Sequence, residues 1–486
     1  MIMRILPFSI LALLTAASAC GNSDPNAPNR SENAEKWFKR AQSSYRSGDA
    51  EDATIAIDGA VKAAPKDRET RILAAKIALA KLDYEDVVKL TEGLEGSDAK
   101  GLRGRAFWYS GDIEKAADEL EEVGRDPNVK DAWARDVASL ARRGHGRHPF
   151  QIEGVVSATD MPSGEGSPAL VVPCELEGER ILALVSTNFG ELMIDSASRH
   201  EPAWVNLRFG DRFEVKDVPA LTHDLSGISR QLGATIKALI GVNVLRHMHA
   251  TFDRHGSQFV VRKAEPAPPP DATRLPVFYA RGGAMMVRAN FSTKDDGEAL
   301  LFVDSSSFYP MALDDSLLKK TGADLGSWKP QPGAPASWKM GPLPFFKLGN
   351  MDLSQFPAVQ GAGFGEYKNA FDVDLGGIAG AGLLSIFRVT FAAEGKYLWL
   401  ELDPTMSMGG PPQTGAQQQP QPLQAPTLPG ANRPGSATPP SAPAPKPGPT
   451  APPPKGVEPK APPAAGPTPG AKTDAKPASE SKGAAK

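Results

Sequence analysis

Leu239-Ile240-Gly241-Val242-Asn243-Val244-Leu245 returns 139 residues later as Ile378-Ala379-Gly380-Ala381-Gly382-Leu383-Leu384. The same displacement carries Thr251-Phe252 onto Thr390-Phe391 and Gly256 onto Gly395. Upstream of each copy an apolar run closes on an acid and a serine-rich turn. These runs are Leu192-Met193-Ile194-Asp195-Ser196-Ala197-Ser198 and Leu301-Phe302-Val303-Asp304-Ser305-Ser306-Ser307. Short β-branched and aromatic stretches broken by Gly and Pro read as strands. A chain that repeats such a unit is held to two like β-rich lobes, here 150–263 and 275–402, with a Pro-rich link at 264–274 between them. Asp195 lies 46 positions before Gly241, and Asp304 lies 76 before Gly380. The extra length includes 328–344, rich in Pro, Gly and Trp, which reads as a surface loop.

An apolar pair followed by Asp and Ser, with an apolar-apolar-Gly strand downstream, resembles the retropepsin and pepsin-like aspartic peptidases. The resemblance covers about half of the chain, 150–402, and implies an all-β bilobed peptidase-like domain. It also implies that Asp195 and Asp304 form the catalytic pair. Ser196 and Ser305 would brace the opposing loops, and Gly241 and Gly380 would support them from beneath. Two carboxylates about 3 Å apart cannot both ionise, so they share a proton and titrate as a pair. One then takes a proton from water while the other polarises the scissile carbonyl. The family places glycine after the Asp-Ser or Asp-Thr pair, whereas this chain has Ala197 and Ser306. A Cβ there obstructs close approach of the loop backbone. Two functions stay open. One is hydrolysis of an extended polypeptide in the interlobe cleft; the other is peptide or partner binding without catalysis.

Residues 31–145 carry a different period. Trp37, Ala41, Gly48, Ala53, Ile57, Ala60 and Pro65 fall at the offsets of a helix pair that resembles a tetratricopeptide repeat, with Gly48-Asp49 in the turn. Gly104, Gly111-Asp112, Ala116, Leu120 and Pro127 repeat it. Residues 72–89 read as a degenerate pair turning at Leu82-Asp83, and 131–142 as a capping helix. The expected fold is therefore multidomain, an all-α repeat domain followed by the all-β lobes. The resemblance implies a protein partner on the repeat domain.

Arg4, the apolar run 5–14 and Ala16-Ala17-Ser18-Ala19 have the layout of a secretory signal over residues 1–19. Cys20 directly after it resembles the lipidated cysteine of bacterial lipoproteins, although Ala17 stands where Leu is usual. With Gly21 next, the resemblance implies a lipid anchor in the cell envelope, on the outer membrane; 20–30 would be a linker. Half of the 46 prolines lie in 403–486. That segment has too few branched apolar and aromatic residues to offset its ordering entropy, so it reads as disordered. A net charge of −3 gives no basic field for nucleic acid. No metal-ligand spacing occurs, and His247 and His249 read as neighbours on one strand face. Gly376 to Gly382 lacks the Lys-Ser/Thr ending of a phosphate loop. No cofactor is expected.

Overall fold

The computed structural model describes residues 30–402 except 163–166, 295–296, 332–333 and 336. The expected leader over 1–19, Cys20 and the segment from 403 onward lie outside the described residues. Seven helices come first: α1 (Glu32–Arg46), α2 (Ala50–Ala63), α3 (Arg68–Ala80), α4 (Tyr84–Thr91), α5 (Ser97–Ser110), α6 (Ile113–Arg125) and α7 (Ala132–Arg143). Five of them start on a side-chain cap. Ser31, Asp49, Asp67, Asp112 and Asp131 each accept an amide of the first turn, satisfying a donor the helix itself leaves unpaired. Gly48, Leu82 and Gly111 turn the chain in the left-handed region. Ala41, Ala53, Ala56 and Ala60 are fully buried. A Cβ on Gly59 would sit 2.8 Å from the Trp37 ring, and one on Gly104 would sit 2.6 Å from Leu120. Small residues thus stand where the neighbouring helix presents a large one.

The first lobe contains β1 (Gln151–Glu153), β2 (Val156–Asp160), β3 (Val171–Leu176), β4 (Glu179–Val185), β5 (Leu192–Asp195), β6 (Ala203–Phe209), β7 (Phe213–His223), α8 (Ser226–Leu232), β8 (Ile236–Ile240), α9 (Val242–His247), β9 (Thr251–Asp253) and β10 (Gln258–Arg262). The second begins with β11 (Thr273–Pro276), β12 (Phe278–Ala280), β13 (Ala284–Asn290), β14 (Glu298–Asp304), β15 (Met311–Leu313) and α10 (Asp315–Lys320). It continues through the short strands β16 (Lys329–Pro330), β17 (Lys339–Pro342), β18 (Lys347–Leu348), β19 (Met351–Asp352) and β20 (Pro357–Gln360). The last elements are α11 (Gly365–Phe371), β21 (Leu375–Gly380), α12 (Ala381–Leu384), β22 (Phe387–Ala392) and β23 (Tyr397–Leu402).

The lobes share a strand order, β7-β5-β8-β4-β3 in one and β20-β15-β21-β14-β13 in the other. Directions agree pair by pair. The β4–β8 and β14–β21 pairs are parallel, and β5–β8 and β15–β21 are antiparallel. Each parallel pair carries a register irregularity, between Leu182 and Ala183 in one and between Leu300 and Leu301 in the other. A third sheet, β11-β23-β22-β9-β10-β2, joins the lobes. At its centre Thr251 lies opposite Thr390, with the hydroxyls 2.9 Å apart and buried. Equivalent residues face each other in an antiparallel ladder only on a local two-fold axis. The 139-residue displacement is that axis read in sequence.

Two expectations need correction. His247 ends α9, so it shares no strand face with His249. In 328–344 Trp328 is buried against Gly341, and the segment supplies β16 and β17 rather than only a surface loop.

The helices and lobes belong to one compact unit and share cores. Ala41, Tyr45, Leu73 and Ile77 cluster with Phe278, Leu300 and Phe302 of the second lobe. Trp108, Tyr109 and Leu140 cluster with Leu221, Met193 and Trp204 of the first. Polar contacts stitch the seam: Asp374 N to Arg46 O at 2.7 Å, Arg288 to Asp49 at 2.9 Å and Lys396 to Asp83 at 2.7 Å. Burying a side chain such as Phe302 contributes about 1.5–3 kcal/mol. The face of the helical array that packs there is therefore covered by the chain itself.

Candidate functional site at the paired loops

β14 delivers Asp304 beside Gly380 of β21. The residue is 3% exposed. Its Oδ1 accepts the Ser306 amide at 2.9 Å and the Ser306 hydroxyl at 2.5 Å, and its Oδ2 accepts the Ser307 hydroxyl at 2.7 Å. Gly380 lies directly beneath this loop. A Cβ there would sit 2.0 Å from the Tyr309 carbonyl oxygen and 2.7 Å from that of Ser307, a close approach only glycine permits. Gly241 holds the same place in the first lobe, where a Cβ would meet the Glu191 carbonyl oxygen at 2.0 Å.

The loop facing Asp304-Ser305-Ser306 is Ser186-Thr187-Asn188, at the end of β4. The Thr187 amide donates to Ser305 Oγ at 3.1 Å, and the Ser305 amide donates to Thr187 Oγ1 at 3.0 Å. The two hydroxyls then cross: Thr187 Oγ1 donates to Val303 O and Ser305 Oγ to Val185 O, each at 2.7 Å. Both residues are fully buried. These four bonds obey the local two-fold, with each hydroxyl reaching the carbonyl two residues before its mate. The register irregularities in β4 and β14 give the same 118-residue correspondence. Ser186 is therefore the counterpart of Asp304, Thr187 of Ser305 and Asn188 of Ser306. The Ser186 hydroxyl donates to Asn188 Oδ1, and Asn188 Nδ2 donates to Ser306 Oγ at 3.3 Å.

Asp195 is not the partner of Asp304. It ends β5 beside His223 of β7, and its Oδ1 accepts the Ala197 and Leu225 amides at 3.4 and 3.3 Å. Its counterpart is Asp314, which ends the equivalent strand region and caps α10 through Ser316 N at 2.7 Å. Ser196 engages β7 through its amide, which donates to His223 O at 2.8 Å. Among the described residues no hydrogen bond joins Ser196 to the second lobe, so Thr187 and not Ser196 braces Ser305. By the same two-fold, the counterpart of Ser306 is Asn188 and not Ala197. Sequence reasoning took the wrong strand because Leu192 to Ser198 is also apolar, acidic and then small. The true first-lobe strand, β4, runs from Val185 into Ser186, so no acid stands at its loop end. The signal was Leu182-Ala183-Leu184-Val185-Ser186-Thr187 against Leu300-Leu301-Phe302-Val303-Asp304-Ser305.

The site thus holds one carboxylate, opposed by a serine hydroxyl already committed to Asn188. A shared-proton pair needs a second acid at that place. Phe308 of the second lobe packs, with Phe189 and Ile228, against a first-lobe cluster that includes Leu225 and Leu239. Just after the first loop, Glu191 is buried and its Oε1 accepts Trp108 Nε1 of α5 at 3.3 Å. Burial pushes its carboxyl above the ordinary carboxylate range, against smaller opposing contributions from Trp133, Arg105 and Trp108. Glu191 was not singled out in the sequence, where nothing marks it as buried. Among the described residues no group of three or more His, Cys, Asp or Glu could hold a metal ion, and no helix is long and apolar enough to cross a membrane.

No protein-family model matches the chain. No curated protein matches it either. Solved structures similar to it include an aspartic proteinase from Irpex lacteus, 11% identical, with 53% of this chain and 100% of that chain covered and a TM-score of 0.35. They also include a retropepsin-like aspartic protease from Rickettsia conorii, 17% identical, with 28% of this chain and 94% of that chain covered and a TM-score of 0.20.

Proposed function

We propose that this chain is a non-catalytic, aspartic-peptidase-like binding protein of the bacterial cell envelope. The observation that carries the proposal is Ser186 at the two-fold counterpart of Asp304. Water activation by an acid pair needs one ionised and one protonated carboxyl in contact, and a serine hydroxyl supplies neither at any working pH. The reciprocal Thr187–Ser305 bonds keep the loop scaffold while the chemistry is gone. The helical region is tetratricopeptide-like in this reading, and it reinforces the lobes through a shared core while its remaining surface recruits envelope partners. Cys20 carries the lipid that tethers the chain at the outer membrane.

The test is incubation of the full chain with an unfolded protein across the acid range, with and without pepstatin. No pepstatin-sensitive cleavage is expected. Cleavage that pepstatin stops and Asp304→Asn abolishes would overturn the proposal in favour of hydrolysis. The anchor has its own test: radioactive fatty-acid labelling should disappear in Cys20→Ser, and label that persists there would exclude lipidation at Cys20.

A further inference from the structure

An open pocket of about 310 Å³ lies where the end of α7 meets the start of β6, away from the paired loops. Arg143 reaches it from α7, Arg147 from the following connector and Arg199 from the loop after β5; Trp204 and Leu140 line it as well. Trp204 is held rigidly. Its Nε1 donates to Leu140 O at 3.0 Å, its ring lies 6.1 Å from that of Trp108, and Gly144 leaves no Cβ that would strike it. Taking the Leu140 carbonyl also removes one unpaired acceptor of the helix end from the pocket.

The charges do not balance. Arg147 is paired with Asp217, whose side chain is only 18% exposed. Arg143 lies 3.3 Å from Glu201, whose side chain is 82% exposed and free to swing outward. Arg199 is exposed and has no ion-pair partner among the described residues. Three guanidinium groups drawn from three segments repel one another unless acids or a ligand compensate them, and here two acids face three bases. Arginine's planar fork suits carboxylate and phosphate oxygens. The volume is at the small end of ligand sites, about 300–1,000 Å³.

We propose that this pocket binds a compact oxyanion-bearing ligand, a carboxylate or phosphate on a small flat apolar body. Arg199 and Arg143 would take the oxyanion, and the body would lie along Trp204. The site uses none of the paired-loop residues, so it stands or fails independently of the absence of catalysis.

The probes are benzoate, its neutral isostere benzamide and inorganic phosphate, titrated calorimetrically into the full chain at low ionic strength. Benzoate should bind and benzamide should not. Added salt should weaken binding, and Arg199→Ala should weaken it about tenfold without altering the circular dichroism. Arg199→Lys, which keeps the charge but loses the fork, should fall between. Phosphate binding tighter than benzoate assigns the phosphate source; the reverse order assigns a carboxylate with an apolar body. The proposal is overturned if neither oxyanion binds, if benzamide binds as well as benzoate, or if Arg199→Ala binds like the natural chain.

Discussion

Removing the Ser305 hydroxyl tests the pairing on which the site rests. Ser305→Ala takes away the acceptor of the Thr187 amide and the donor to Val185 O. Ser305 and Thr187 are both fully buried, so water cannot replace either bond without opening the interface between the lobes. Leaving one donor and one acceptor unsatisfied costs about 1–3 kcal/mol each, about 2–6 kcal/mol in all. That is a large share of the roughly 5–15 kcal/mol that holds a typical domain together. Thr187→Val does corresponding damage through the Ser305 amide and Val303 O. Because the four bonds form one closed set, the two substitutions should couple by about 0.5–3 kcal/mol. Ser196→Ala is the control, since only its amide is engaged, and it should stay within about 0.5 kcal/mol of the natural chain. Urea unfolding followed by tryptophan fluorescence and circular dichroism compares the natural chain with the two single variants, their double and the control. Ser305→Thr, which copies the first lobe's own residue, keeps both bonds available. If Ser196→Ala cost as much as Ser305→Ala, or if positions 187 and 305 proved uncoupled, the assigned register would be wrong.

Gly380→Ala should lose about 3 kcal/mol in the same assay, because its Cβ would sit 2.0 Å from a backbone oxygen that cannot swing aside; tolerance of alanine there would contradict the close approach. Glu191 makes stability depend on pH. Its folded-state carboxyl is raised by burial, so its contribution is complete below the ordinary carboxylate range and declines as pH rises from there through the raised value. Glu191→Gln should flatten that decline, and an unchanged pH profile would remove Glu191 as its source. Cys174 is buried and its thiol is pushed up to about 12 by that burial, so a thiol reagent should label it only after denaturation; rapid labelling at Cys174 in the native chain would count against the buried placement.

Much of the site was legible, and the error within it has a definite cause. Asp304, Ser305, Gly241 and Gly380 could be singled out because each stands in a distinctive local pattern. The residues opposite them, Ser186 and Thr187, carry no such pattern. The strand that ends on them is separated from the stretch Leu192 to Ser198 by only a short loop. Both runs are apolar and both end on a small polar turn, so a one-dimensional reading selected the one with the acid. Asp314, the cap of α10, is the residue that Asp195 matches by position. Glu191 and the three arginines around Trp204 come from segments distant in sequence, and their convergence depends on how α5 and α7 dock on the first lobe.

The sequence by itself determined the repeated β unit, the change from helical to strand periodicity near residue 150, and the need for glycine at 241 and 380. Those are consequences of local sterics and of burial patterns, which act over a few residues. Tertiary structure alone decided which first-lobe residue meets Asp304 and which face of the helices is covered. Both depend on strand register and docking between segments more than a hundred residues apart. Shifting the pairing from the strand ending at Val185 to the one ending at Asp195 leaves every local propensity unchanged. It does change whether the site has one carboxylate or two.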